Sequence, residues 1–255
     1  MQIMMVGDVI GRPGRRAVRE VMPGLRQRYL PELVIANAEN AAGGLGLSLS
    51  TAEELLESGV DILTSGNHIW DQKDIIPHLN GGLPILRPLN YPLGVPGRGF
   101  MRKDDVLVIN LEGRIFMRQI DCPFRSVDRL LSEMENKPPV IIVDFHAEAT
   151  SEKVALGRYL DGRVSAVLGT HTHVGTVDAC ILPKGTAFVS DVGMVGPSDS
   201  VIGNDVGAVI NRFLTGIHHG LSVGKGKAVL NAVLVEVEED TGRAVSIKRI
   251  DIEDC

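Results

Sequence analysis

The sequence lacks the features that mark several broad classes of protein. Its three cysteines, Cys122, Cys180 and Cys255, are far apart in the 255-residue chain and form no Cys-x-x-Cys pair. This argues against a disulfide framework or a zinc ribbon and favours free thiols in a reducing compartment. No apolar run is long enough to span a bilayer, and the short apolar N-terminus lacks the basic residues of a signal peptide. We therefore expect a cytoplasmic protein that is not associated with a membrane.

An excess of basic residues is also missing. The chain has 26 Lys and Arg against 32 Asp and Glu, a net charge of −6. A protein that coats long nucleic acid needs many cationic contacts to phosphate, so this class is disfavoured, whereas a small nucleotide or an RNA end is still allowed as a ligand. There is no internal repeat, low-complexity segment or linker, which predicts a single domain over residues 1–255.

The order of apolar runs indicates the fold class. Polar residues follow each strand of a first set that alternates with helices, as in βαβ units. These predicted strands are 3–6, 33–36, 61–64, 105–111, 139–145 and 164–168, and the helices are 13–29, 50–58, 124–135 and 150–160. The last third predicts a mostly antiparallel set of strands, 177–182, 186–189, 227–238 and 243–252, with one helix at 205–214. We predict a four-layer α/β/β/α sandwich, in which two mixed sheets are flanked by helices.

Candidate metal ligands lie where the strands end. The clusters are Asp8, Glu39 with Asn40, Asn67 with His68, His146, and His171 with His173. Chemistry in open α/β sheets gathers at this edge, and mixed carboxylate, amide and imidazole ligands suit a first-row metal. His171 and His173 should also share one side of an extended stretch. Taken singly, each residue has a structural alternative, such as a helix cap, a turn residue or a core histidine.

Six motifs resemble those of the calcineurin-like metallophosphoesterases, and within them the bacterial YmdB-like family. They are Gly7-Asp8-Val9-Ile10-Gly11, Asn37-Ala38-Glu39-Asn40, Ser65-Gly66-Asn67-His68, Asp144-Phe145-His146-Ala147-Glu148, Gly169-Thr170-His171-Thr172-His173 and Ser190-Asp191-Val192-Gly193-Met194. The wider superfamily has a histidine where this chain has Ile10, and Gly-Asp where it has Glu39-Asn40. The resemblance implies that Asn40 supplies the missing ligand and that Glu39 replaces the bridging aspartate.

The resemblance implies a site with two metal ions, iron or manganese, with zinc also compatible with the ligands. Asp8, Glu39, Asn40 and His173 would hold one ion, and Glu39, Asn67, His146 and His171 the other. His68 would act as the catalytic acid that protonates the leaving oxygen, and Asp71 either orients His68 or caps a helix. We predict that His218 and His219 form a loop pair outside the ligand set.

The implied activity is metal-dependent hydrolysis of small phosphodiesters, with 2′,3′-cyclic nucleotides as substrates and a homo-oligomer as the assembly. Three alternatives stay open. The enzyme could be a phosphomonoesterase or a nuclease acting on RNA ends, or the chain could be a non-catalytic regulator that senses nucleotides. The presence of His68 favours catalysis, because a pure binding protein has no need of an acid.

Overall fold

The computed structural model describes residues 1–218 and 220–255; His219, predicted to lie in a loop, is outside the described residues. The described residues form thirteen strands, five α-helices and a 3-10 helix at Lys73–His78. The strands are β1 (Gln2–Val6), β2 (Asp8–Val9), β3 (Leu33–Asn37), β4 (Ile62–Thr64), β5 (Phe100–Lys103), β6 (Val106–Glu112), β7 (Val140–His146), β8 (Ala166–Thr170), β9 (Cys180–Ile181), β10 (Ala187–Val189), β11 (Met194–Pro197), β12 (Ala228–Val237) and β13 (Ala244–Ile252). The helices are α1 (Gly11–Tyr29), α2 (Leu49–Glu57), α3 (Pro123–Glu133), α4 (Thr150–Leu160) and α5 (Val206–Thr215).

The strands form two mixed sheets. The first has the order β2-β11-β12-β1-β3-β4, and β13 pairs with β12. In it β1, β3 and β4 run parallel, while β12 is antiparallel to β1, β11 and β13. The second sheet has the order β5-β6-β7-β8-β10-β9, with β6, β7, β8 and β10 parallel. The strands β3 and β7 are buried on both faces, which explains why the first four residues of each are all apolar.

Three apolar clusters separate four layers. The middle cluster packs Met5 and Val233 of the first sheet with Ile142 and Leu168 of the second. One outer cluster packs the buried stripe of α1 and α2 on the first sheet, and the other packs α3 and α4 on the second. The predicted α/β/β/α sandwich is therefore confirmed. No helix of the described residues combines the length and apolarity that a bilayer span requires.

The differences from the predicted elements have local causes. The helix predicted to begin at Ser50 begins at Leu49, because Ser48 is the extended N-cap and forms the capping box with Thr51. The helix predicted over 124–135 begins one residue earlier, at Pro123, a residue suited to a first turn. The strands β5 and β11 had no clear signal, because one has exposed polar residues and the other contains Gly196 and Pro197.

Candidate metal centre

All seven predicted ligands lie at the end of the sandwich where the parallel strands of both sheets finish. Asp8 begins β2, Glu39 and Asn40 follow β3, Asn67 follows β4, His146 ends β7, and His171 and His173 follow β8. The sequence predicted one edge of one sheet. The structure instead takes four of these residues from the first sheet and three from the second, so the site lies where the two sheets meet.

Three of the predicted ligands surround one nitrogen atom of a fourth, His146. The Nε2 atom of His146 lies 2.9 Å from Oε1 of Glu39, 3.2 Å from Oδ1 of Asn67 and 2.9 Å from Nδ1 of His171. Candidate ligand atoms of Glu39, His146 and His171 all lie within 4.8 Å of one another. A ring nitrogen carries at most one hydrogen and cannot satisfy three partners. We call Glu39, Asn67, His146 and His171 the His146 cluster; its convergent atoms fit a cation.

The other nitrogen of His146 is fixed by a buried network. Thr170 donates its hydroxyl hydrogen to Oδ1 of Asp144 at 2.7 Å, and its oxygen lies 2.9 Å from Nδ1 of His146. Asn37 donates to the second oxygen of Asp144 at 3.1 Å. Since the Thr170 oxygen already donates its hydrogen, it accepts one from Nδ1, which leaves Nε2 directed into the His146 cluster. Such partners fix the tautomer of metal-binding histidines.

Asp8, Asn40 and His173 form a second group of predicted ligands. One oxygen of Asp8 accepts from the backbone N–H of His171 at 3.1 Å, and the other, Oδ1, lies 3.9 Å from Nε2 of His173. Asn40 donates its amide to the carbonyl of Gly44 at 3.0 Å. Among the residues that the structure describes, Oδ1 of Asp8 and Oδ1 of Asn40 are buried without a hydrogen-bond partner. Buried polar atoms are rarely left so, and a cation would satisfy both oxygens.

The pKa shifts follow from burial and from the close packing of opposite charges. Burial, opposed by His173 and His146, raises the pKa of Asp8 to about 6. Burial also acts to raise the pKa of Glu39, but His146 outweighs it and the pKa falls to about 2. Burial disfavours charge on His146, yet Glu39 raises its pKa to about 9, while burial and His146 lower the pKa of His171 to about 3. A cation bound at Nε2 of His146 would therefore displace a proton.

The histidine pair differs from its predicted conformation. His171 has φ 103° and His173 has φ 65°, so neither residue is in an extended strand, and alternation does not explain their shared direction. A left-handed backbone costs a non-glycine residue about 1–3 kcal/mol. Contacts with the surroundings offset this cost: His171 donates its N–H to Asp8, and Nδ1 of His173 lies 2.9 Å from the carbonyl of Ile202.

A buried ion pair, which sequence reasoning missed, supports the loop between the two histidines. Asp191 accepts from the Nζ of Lys153 at 2.7 Å, and both residues are almost fully buried. The same carboxyl oxygen accepts from the N–H and the hydroxyl of Thr172, and the other oxygen accepts from the N–H of Gly193. The carboxylate of Asp191 therefore fixes Thr172, the residue between two predicted ligands.

Replacing Asp191 with alanine should lower the free energy of unfolding by about 3–5 kcal/mol, because the Lys153 ammonium is left buried without its partner. Urea unfolding followed by circular dichroism measures the change. Asp199→Ala is the matched control, since Asp199 is exposed and its loss should stay within about 0.5 kcal/mol of wild type. A change of that small size in Asp191→Ala would show that the pair does not support the fold.

Gly66 makes room for the imidazole of His146. A Cβ atom on Gly66 would lie 2.0 Å from Cδ2 of the His146 ring, well inside contact distance. The ring is buried, so it cannot move aside into solvent. The glycine before Asn67 is thus required by the approach of a strand from the other sheet, which the sequence alone could not indicate.

His68 lies beside the His146 cluster at the wall of an open cleft. Its backbone N–H donates to Oε2 of Glu39 at 3.0 Å, and its Nδ1 lies 2.7 Å from Oδ2 of Asp71. The side chain is 27% exposed. Because Asp71 engages Nδ1, the Nε2 atom is the one left for a substrate. Two roles were suggested for Asp71, orienting His68 or capping a helix. The contact with Nδ1 supports the first of these roles.

The cleft has a volume of about 520 Å³ and contains further charged groups. His68, His171, His173 and Arg212 all line it. Glu148 contributes a carboxylate, whose Oε2 lies 3.1 Å from Nε2 of His171. Arg212 was missed because nothing in the sequence connects α5 with the site.

The fold is that of a metallophosphoesterase. A sequence model of the family described as YmdB-like protein matches residues 4–250. The 2′,3′-cyclic-nucleotide 2′-phosphodiesterase of Bacillus subtilis (strain 168) is 46% identical, over 100% of this chain and 98% of its own length. The chain therefore belongs to the YmdB-like family, and the predicted class, a phosphoric diester hydrolase with a metal cofactor, is confirmed.

Two solved structures have the same fold over the whole chain. A crystal structure of a protein from Thermus thermophilus has a TM-score of 0.95 and 47% identity, and it covers 100% of both chains. A crystal structure of a phosphatase from Mycoplasma pneumoniae has a TM-score of 0.93 and 36% identity, and it covers 100% of this chain and 94% of the other. The sandwich and its strand order are thus common to these relatives.

Proposed function

We propose that the chain hydrolyses 2′,3′-cyclic nucleotides at a site for two metal ions. Asp8, Glu39, Asn40 and His173 hold one ion, and the His146 cluster holds the other, with Glu39 shared between them. The observation that carries the proposal is the convergence of the His146 cluster beside two buried oxygens without partners among the described residues. Iron or manganese is the proposed metal, with zinc as a further candidate, since all three accept this mixture of ligands.

The substrate is proposed from the site and from one relative. The B. subtilis relative is described as acting on the 2′ ester of 2′,3′-cyclic nucleotides. In this chain the cleft of about 520 Å³ opens directly onto the proposed ligands, as a small diester requires. The acidic net charge of −6 disfavours long RNA as the substrate, because such a polymer needs many cationic contacts.

The proposed reaction is an in-line displacement at phosphorus. Bound metal ions supply a water-derived nucleophile near neutral pH and Lewis acidity toward the phosphoryl oxygens. A bond forms between phosphorus and the oxygen of water, the bond to O2′ breaks, and His68 gives its proton to O2′. Asp71 orients the imidazole through its contact with Nδ1, so that Nε2 is left to face the leaving oxygen. The product is a nucleoside 3′-phosphate.

Hydrolysis of an ester panel tests this function against its alternatives. The protein is stripped with a chelator, reconstituted with Mn²⁺ or Fe²⁺, and assayed with a 2′,3′-cyclic nucleotide, a nucleoside 3′-phosphate and a short RNA. We expect turnover of the cyclic diester only with metal. Preferred release of phosphate from the monoester would favour a phosphomonoesterase, shortening of the RNA a nuclease, and no hydrolysis despite bound metal a nucleotide-sensing regulator.

Two further expectations belong to this proposal. We propose that the enzyme works in the cytoplasm, where its free cysteines stay reduced, and that it forms a homo-oligomer. Light scattering of the purified protein measures the assembly directly. A molar mass of 27.5 kDa, the mass of one chain, would contradict the homo-oligomer.

A further inference from the structure

A second pocket, distinct from the main cleft, shares two walls with the proposed metal site. Asn67 and His171 line one side of it, and Phe116, Met117 and Arg118 line the other. Its volume is about 280 Å³. A space of this size holds several water molecules, each of which needs only about 10–15 Å³ on this measure. A group bound here touches two residues of the His146 cluster.

The loop that carries this second wall is held firmly at its start. Gly113 donates its N–H to the carbonyl of His146 at 2.9 Å. The next two N–H groups, those of Arg114 and Ile115, both donate at 3.1 Å to the carboxylate of Glu152, which is buried in α4. We call residues 113–118 the Phe116 loop; its first three residues are therefore anchored beside the proposed ligand His146.

Phe116 itself has an unfavourable conformation and environment. Its φ is +62°, a region that bulky side chains rarely adopt, and its side chain is 90% exposed. Neither the backbone strain nor the exposed ring benefits the isolated fold. Strained residues of this kind persist where a function requires them. The ring stands beside the proposed metal site, and the cationic Arg118 follows two residues later.

We propose that the Phe116 loop is the nucleobase-binding subsite of this enzyme. The inference rests on the proposed function, because a 2′,3′-cyclic phosphate is fused to the ribose that carries the base. The base must then bind within one sugar ring of the metals, and this pocket directly adjoins the His146 cluster. The exposed face of Phe116 stacks on the base, as aromatic side chains do in sites without strict sequence preference. Arg118 adds hydrogen-bond donors and a cationic plane.

A different cavity, which also adjoins the main cleft, provides the control for the Phe116 variants. It has a volume of about 510 Å³ and contains Phe213, whose side chain is 83% exposed and which follows Arg212. None of the described residues that line this cavity is a proposed metal ligand. Ile202 and Arg212 line both this cavity and the main cleft, whereas Phe213 lines only the cavity.

The test compares two substrates, adenosine 2′,3′-cyclic phosphate and glycerol 1,2-cyclic phosphate, which has no base. We define the substrate ratio as kcat/KM for the adenosine ester divided by kcat/KM for the glycerol ester. Phe116→Leu should reduce this ratio about tenfold, since stacking on the base contributes about 1–3 kcal/mol. Phe116→Trp should restore the ratio, and Phe213→Leu should leave it at the wild-type value. An unchanged ratio in Phe116→Leu, or a reduced ratio in Phe213→Leu, overturns the subsite.

A glycine variant separates this role from a structural one. Phe116→Gly relieves the positive φ and should raise Tm by about 2 °C, while the substrate ratio still falls. A ratio that stays at the wild-type value would overturn the subsite. If the wild-type enzyme hydrolyses neither ester, the proposed function fails, and calorimetric binding of adenosine 3′-phosphate decides the subsite instead. About tenfold weaker binding by Phe116→Leu supports it, and equal binding overturns it.

Discussion

His68→Ala should lower kcat for adenosine 2′,3′-cyclic phosphate by about 10²–10⁴-fold while the metal content stays at the wild-type level. General acid catalysis contributes a factor of this size. The imidazole is held at its Nδ1 by Asp71 and is partly exposed in the cleft, whereas only its backbone N–H touches a proposed ligand, Glu39. Removing the side chain therefore removes the acid and keeps the contact to Glu39.

The measurement combines single-turnover kinetics with metal analysis of the same sample. His78→Ala is the matched control, because His78 is an exposed histidine in the 3-10 helix and lines no described part of the cleft. It should keep full activity. Wild-type turnover in His68→Ala would refute the acid role, and loss of metal in that variant would make His68 a ligand instead.

Glu39→Gln should remove at least one of two metal equivalents and lower turnover to about 1% of wild type or less, since loss of an electrostatic stabiliser of the transition state costs about 10²–10³ in turnover. A carboxylate can offer one oxygen to each of two ions, whereas an amide has one oxygen and no charge. The two oxygens of the Glu39 carboxylate have different neighbours: Oε1 lies 2.9 Å from Nε2 of His146, and Oε2 accepts from the N–H of His68.

Glu148→Gln is a graded control for this variant. Glu148 is exposed and contacts the far nitrogen of His171, so it should change metal affinity by about 10–100-fold without removing a ligand. Inductively coupled plasma mass spectrometry gives metal per chain for both variants. Two full equivalents in Glu39→Gln, with normal affinity, would be incompatible with a shared ligand.

Local patterns in the sequence were sufficient to predict the four layers of the fold. The first four residues of β3 and of β7 are all apolar, because helices and a second sheet cover both faces of each strand. The alternation of such strands with helices indicates parallel units. The predicted starts of α2 and α3, residues 50 and 124, are each one residue late, since Ser48 is the N-cap of α2 and Pro123 fits the first turn of α3. The first residue of a helix depends on where the backbone changes from extended to helical angles, and the hydrophobic pattern of the sequence does not determine that position.

The site illustrates a different limit. The ligand types and their positions after strands were visible in the sequence, and the family resemblance supplied how they divide between two ions. The supporting residues were not visible: Lys153 reaches Asp191 and Asn37 reaches Asp144 across long stretches of chain. Gly66 is required only because His146 approaches from the other sheet. Contacts between residues that are far apart in the chain produce no recognisable pattern in the sequence around either residue.

The most direct test of the account is ³¹P NMR of adenosine 2′,3′-cyclic phosphate with the chelator-stripped and the metal-reconstituted enzyme. The account predicts a single product, adenosine 3′-phosphate, formed only after metal is restored. Equal hydrolysis by the stripped enzyme, or no hydrolysis by an enzyme with two bound metal ions, would contradict it.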